Sequence, residues 1–124
     1  MQLPLETILK RFEAPDEIRT FEKGIFELVR LGPMTIGRAT YQAGWQWSKH
    51  VGPTVGTGRR NVEHVGLVLS GCATAAVDDG TIHELRSGTL FYIRTRPPGN
   101  DSWVVGDEPY VSLHFSGADD YAHK

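Results

Sequence analysis

A single cysteine, Cys72, occurs in the 124 residues. A lone thiol closes no internal disulfide, which fits a reducing compartment, so a cytoplasmic location is expected. No histidine adjoins Cys72, and its role reads as structural. Long apolar runs are also missing. Nothing approaches the ~20 residues that cross a bilayer, and no signal-like apolar segment stands near the start, so no membrane partner is expected. Neither sign of charge prevails: 13 Lys and Arg stand against 15 Asp and Glu, for a formal net charge of -2. Without a basic block, no nucleic-acid partner is expected either. Repeats, linkers and low-complexity segments are absent, and the length suffices for one core without staples.

Short strands and turns are what the chain does contain. Only the beginning has helical spacing, with Leu5, Ile8, Leu9 and Phe12 at i, i+3, i+4 and i+7 until Pro15 breaks the pattern. So short a helix needs tertiary support, and an N-terminal helical arm over residues 1–17 is expected to lie on a sheet or on a partner subunit. From Ile18 the period changes. Strand candidates follow at Ile25–Arg30, Met34–Tyr41, His64–Leu69, Cys72–Val77, Thr81–Leu85, Leu90–Ile93, Ser102–Val105 and Tyr110–Phe115, separated by Gly, Pro and Asp turns. Regular short strands predict an all-β barrel or sandwich over residues 18–117, with a polar tail at 118–124. The run from His64 to Gly71 reads as its central strand, apolar on both faces and ended by Ser70-Gly71.

Two histidines carry the chemical interest. His50 closes Gly44-Trp45-Gln46-Trp47-Ser48-Lys49-His50, and His64 opens the central strand. The usual first motif of the cupin superfamily is a glycine, five residues, His-x-His, a short gap, then a glutamate six residues before a glycine. Gly44 and His50 match its opening. His64 and Gly71 match its close, with histidine in place of the glutamate, and Gly52 stands where the second histidine of the pair falls. Gly88 through Pro97-Pro98-Gly99 resembles the second motif, with about three extra residues. The chain resembles more closely a branch of small single-domain bacterial cupins of uncharacterised function. The shared lines are Trp45-Gln46-Trp47-Ser48-Lys49-His50, Pro53-Thr54-Val55-Gly56-Thr57, the His64–Gly71 run, and Pro97-Pro98-Gly99-Asn100-Asp101-Ser102-Trp103-Val104-Val105-Gly106-Asp107-Glu108-Pro109. Asn100 replaces the branch's third histidine.

The resemblance implies a double-stranded β-helix, or jelly-roll barrel, that often forms homodimers. It implies a metal site made of His50, His64 and, more weakly through its amide oxygen, Asn100. Such a site would take a divalent ion such as Zn, Fe, Ni or Mn, because neutral imidazoles suit borderline ions. Both histidines can equally be hydrogen-bonded barrel residues. Arg59 offers a planar fork to a carboxylate or phosphate, and Trp103 an apolar wall; both are candidates for contact with a small-molecule ligand. His114 alternates with Val111, Leu113 and Phe115, so it is expected outside the barrel if those three line it. The expected function is small-molecule binding in the barrel. The alternative is a metal-dependent dioxygenase or isomerase, for which the missing glutamate and third histidine remove two usual groups.

Overall fold

The computed structural model describes residues 7–50, 62–76, 80–95 and 101–116. Strands β1 (Glu17–Phe21), β2 (Gly24–Leu31) and β3 (Met34–Tyr41) form an antiparallel meander. A four-residue helix, α1 (Trp47–His50), follows. Next come β4 (Val62–Ser70), β5 (Cys72–Ala76), β6 (Ile82–Arg86), β7 (Leu90–Thr95), β8 (Asp101–Val104) and β9 (Tyr110–Ser116). They make a six-stranded sheet in the order β1-β2-β3-β9-β4-β7 and a three-stranded sheet in the order β6-β5-β8. The last strand thus returns to the middle of the large sheet, between β3 and β4.

Gly71 is where the chain leaves one sheet for the other. Its φ is +78°, and a Cβ there would run into the Pro109 carbonyl and the Tyr110 backbone, so glycine alone fits. Buried side chains of both sheets form one core: Phe26, Leu28, Ala39, Tyr41, Val68 and Tyr110 from the large sheet, with Ala73, Ala75, Leu85 and Val104 from the small one. Trp45 joins them at 1% exposure. Its ring stacks on Tyr41 at 3.9 Å, and its carbonyl accepts the Val104 N–H at 3.0 Å. The larger of these, such as Phe26, Leu28 and Val68, each contribute about 1.5–3 kcal/mol when fully buried.

The all-β architecture is as expected from the sequence, and β3 spans the residues expected of it. Two elements differ. Residues 7–11 carry no helix, and only a turn follows at Phe12 and Glu13, so the helical spacing of the arm is not used over its described part. Leu9 is 89% exposed and offers no apolar contact to hold a helix. Polar contacts hold the arm instead: Lys10 pairs with Asp16 at 3.0 Å, and the Arg38 guanidinium lies 4.9 Å over the Phe12 ring. The short helix lies later, at α1. β4 also departs from a strand buried on both faces, because Gly66 and Val68 are buried while Leu69 is 43% exposed.

Candidate functional site

His50 ends α1, and the helix is fastened to β8 by one carboxylate. Asp101 accepts hydrogen bonds from the Ser48 N–H at 3.0 Å, the Ser48 hydroxyl at 2.9 Å and the Gln46 side-chain amide at 2.6 Å. The His50 ring folds back over this turn, and its Nδ1 accepts the Gln46 backbone N–H at 2.9 Å. A neutral imidazole that accepts at Nδ1 carries its proton on Nε2. That Nε2 faces the Glu22 carboxylate at 3.5 Å. Neither nitrogen of His50 offers a lone pair to an ion in this arrangement, so as a metal ligand set the trio expected from the sequence does not fit at this histidine.

His64 lies on the inward face of β4 with Gly66 and Val68, and its neighbour is His114. This overturns the expectation that His114 lies outside. On β9, Tyr110, Ser112 and His114 are buried at 4%, 1% and 7% exposure, whereas Phe115 is 36% exposed. The reason is steric. β9 pairs with β3 so that His114 stands opposite Gly37 and Ser112 opposite Ala39, and with β4 so that His114 stands opposite Gly66. Small residues on both flanking strands leave room for an inward imidazole. A Cβ on Gly66 would collide with the Phe91 ring and the Leu113 carbonyl. Phe91 reaches the same space from β7, with its ring centre 5.7 Å from that of His114. The signal was in the sequence as these small residues, but it is readable only once the strand order is known.

The β4–β9 ladder slips between Val65 and Gly66: Val65 pairs with Ser116 while Gly66 pairs with His114, leaving Phe115 as the extra residue. Such a bulge re-aims side chains and is common beside functional sites. Here the His64 and His114 rings lie 5.9 Å apart, edge to face at 84°, with Phe26 against His114 at 5.3 Å. Ser112 Oγ lies 3.0 Å from His114 Nε2. Burial, with His64 adding to it, pushes His114 down to about 3, so this imidazole is neutral near pH 7. Burial also pushes the Tyr110 phenol up to about 12, against the opposing pull of a hydrogen bond with Ser112. The inward face of β9 is therefore an uncharged polar ladder, Tyr110 to Ser112 to His114, ending at His64.

Trp103 is half-buried and pairs with Thr74. It alternates with Val104, which belongs to the core, so it occupies the opposite face of the small sheet. Arg59 and Asn100 lie outside the described residues. Among the described residues no three His, Cys, Asp or Glu side chains gather as a metal-binding group, and no helix is long and apolar enough to cross a membrane. Burial and contact with Glu84 push the Cys72 thiol up, away from reactivity.

No family model matches the chain, and no curated protein matches it. Solved structures do. A Rhizobium leguminosarum bv. viciae 3841 protein of unknown function superposes with a TM-score of 0.61 at 17% identity, over 90% of this chain and 97% of that one. Oxalate decarboxylase of Lactobacillus farciminis, solved as a formate complex, gives 0.57 at 16% identity over 82% of this chain, which spans only 30% of that enzyme. A sugar phosphate isomerase of the cupin superfamily from Silicibacter pomeroyi gives 0.53 at 14% identity, over 75% of this chain and 58% of that one. The chain has the cupin fold. These neighbours carry different chemistries on one scaffold, and at such identities they define the fold alone.

Proposed function

We propose that this chain is a small-molecule-binding cupin domain, acting as a homodimer in the cytoplasm, whose ligand meets the inward face of β4 and β9. The observation that carries this reading is the uncharged polar ladder, ending at His64, within an otherwise apolar interior. Buried polar groups cost stability unless they are hydrogen-bonded, and a run of them with a half-buried imidazole at its end suits a ligand with matching donors and acceptors. The chemistry favours an uncharged ligand with hydroxyl or amide groups, because a charged one would meet a low-dielectric wall of Phe26, Phe91 and a neutral His114.

A thermal-shift screen of uncharged polyols, amides and heterocycles, run in the presence of EDTA, tests it. A true ligand at about 100 times its Kd stabilises the fold by about 2.7 kcal/mol. The expected hits raise the Tm of the wild type and fail to raise that of a folded His64→Ala variant. A screen whose hits shift both proteins equally would overturn the site, and one with no hits would overturn the reading.

A further inference from the structure

We propose that residues 10–16 of the N-terminal arm form a detachable strap, fastened by Arg38 over an apolar patch on the outward face of the large sheet. The patch centres on Val29. Phe26 and Leu28 alternate inwards on β2, so Val29 points the other way, yet it is only 4% exposed and takes no part in the core cluster. Its partner on β3 is Ile36, and Arg38 follows two residues later on the same face. Burial outside the core needs a cover, and the arm meets this face. Asp16 brackets Val29 along β2: its N–H donates to the Leu28 carbonyl at 2.8 Å, and its carboxylate accepts the Arg30 N–H at 2.7 Å.

The fastenings are charged groups and backbone. Arg38 reaches Glu13 at 3.6 Å and covers the Phe12 ring at 4.9 Å, while its Nε stays paired with Glu27 at 2.9 Å. Lys10 pairs with Asp16 at 3.0 Å, and the Ala14 N–H donates to the Arg11 carbonyl at 3.1 Å. Glu13 is exposed and Lys10 and Asp16 are partly so. Ion pairs in such positions hold weakly and are screened by salt, whereas the buried apolar contacts of the barrel are not. The strap therefore opens as a local unit, ahead of the barrel. Opening uncovers Val29 and Ile36 beside a row that is already apolar: Arg38 stands in register with Leu113, Leu113 with Leu67, and Leu67 with Leu90. Ionic strength, acting through Arg38, sets how much apolar surface this face presents. The device lies across the sheet from the inward histidines and is independent of the ligand reading.

The test is NMR-detected hydrogen exchange on the full chain, from about 0.05 to about 1 M NaCl at constant pH. The Ala14 and Arg30 amides report the strap; the Val68 and Val104 amides, bonded to the Thr89 and Trp45 carbonyls, report the barrel. In low salt the strap amides are expected to be protected, but less than those of the barrel. In high salt, and in Arg38→Gln at low salt, they should exchange at least about tenfold faster, with the barrel amides within about twofold. Glu13→Gln keeps the Arg38–Glu27 pair and loosens the strap alone, so it should quicken the same two amides. Strap amides without protection in low salt, strap amides that exchange only as fast as the barrel's, or rates that neither salt nor the two variants alter overturn the proposal. If Arg38→Gln does not fold by near-UV circular dichroism, the wild-type salt series and Glu13→Gln decide.

Discussion

Gly66 and His114 face each other across the β4–β9 ladder, and neither could be exchanged cheaply. The Gly66→Ala methyl would meet a backbone carbonyl, which cannot yield as a side-chain tip can, as well as the Phe91 ring. We expect a loss of about 1–3 kcal/mol, read from urea denaturation midpoints at unchanged m value. His114 makes a pH prediction with a definite sign. Its folded-state value, about 3, lies below the ordinary 6.5, so the unfolded chain binds the proton first as pH falls. The stabilisation is complete above 6.5 and is lost progressively from there towards 3, amounting to about 2 kcal/mol by about pH 5. Between about pH 7 and 5 the exposed carboxylates stay ionised, and comparison with a His114→Gln variant separates His114 from the other four histidines. The wild type should lose about 2 kcal/mol more over this window than a folded His114→Gln variant; equal slopes would show that His114 is not the group. The inward placement of this residue was the main misreading of the sequence, since three apolar neighbours on β9 outvoted it. Binary pattern ranks Val, Leu and Phe as core, but the small residues of β3 and β4 admitted the ring and left Phe115 at the surface.

At the scale of elements, α1 shows how little local propensity explains. Four residues do not hold a helix unaided; Asp101 does so from 53 residues away by accepting the Ser48 N–H and hydroxyl, along with the Gln46 amide. Asp101→Ala should therefore release the turn that presents His50 and cost about 1–3 kcal/mol, the range for leaving donors unmatched at a charged acceptor. Hydrogen exchange should quicken at the Lys49 and His50 amides, which bond to the Gln46 carbonyl at 3.1 and 2.9 Å, while β2 and β3 stay protected. Unchanged exchange at those amides would mean that the ring of His50 suffices to hold the turn. The strands were legible because their cause is local: β-branched and aromatic runs ended by turn residues. The arm failed for the complementary reason, since its spacing was helical but no apolar surface meets Leu9, and Arg38 instead draws Phe12 and Glu13 onto the sheet. β1 was unreadable as a strand by pattern, being held at the edge by Glu17 bridging Arg19 and Arg30, at 2.7 Å each.

At the scale of the molecule, the strand order was not legible from periodicity. That β9 returns between β3 and β4 follows from no window of residues, and only the resemblance carried by the His64–Gly71 and Pro97–Pro109 runs anticipated it. The same order decides where a second copy would pair. The large sheet ends in β1 on one side and β7 on the other. β1 carries the Glu17 and Arg19 charges that discourage strand addition. β7 turns Leu90, 74% exposed, and Tyr92, 60% exposed, outwards, while Phe91 packs inwards against the core. An edge flanked by the exposed apolar Leu90 and Tyr92 is the better self-pairing surface, and a two-fold axis lets both copies use it at once. Light scattering on the eluting protein should then report a dimer for the wild type and a monomer for the Leu90→Lys, Tyr92→Lys double variant. A wild-type monomer at tens of micromolar would remove the dimer. A dimer that survives the double variant would move the contact away from β7, towards the N-terminal arm, whose Ile8 and Leu9 are also exposed.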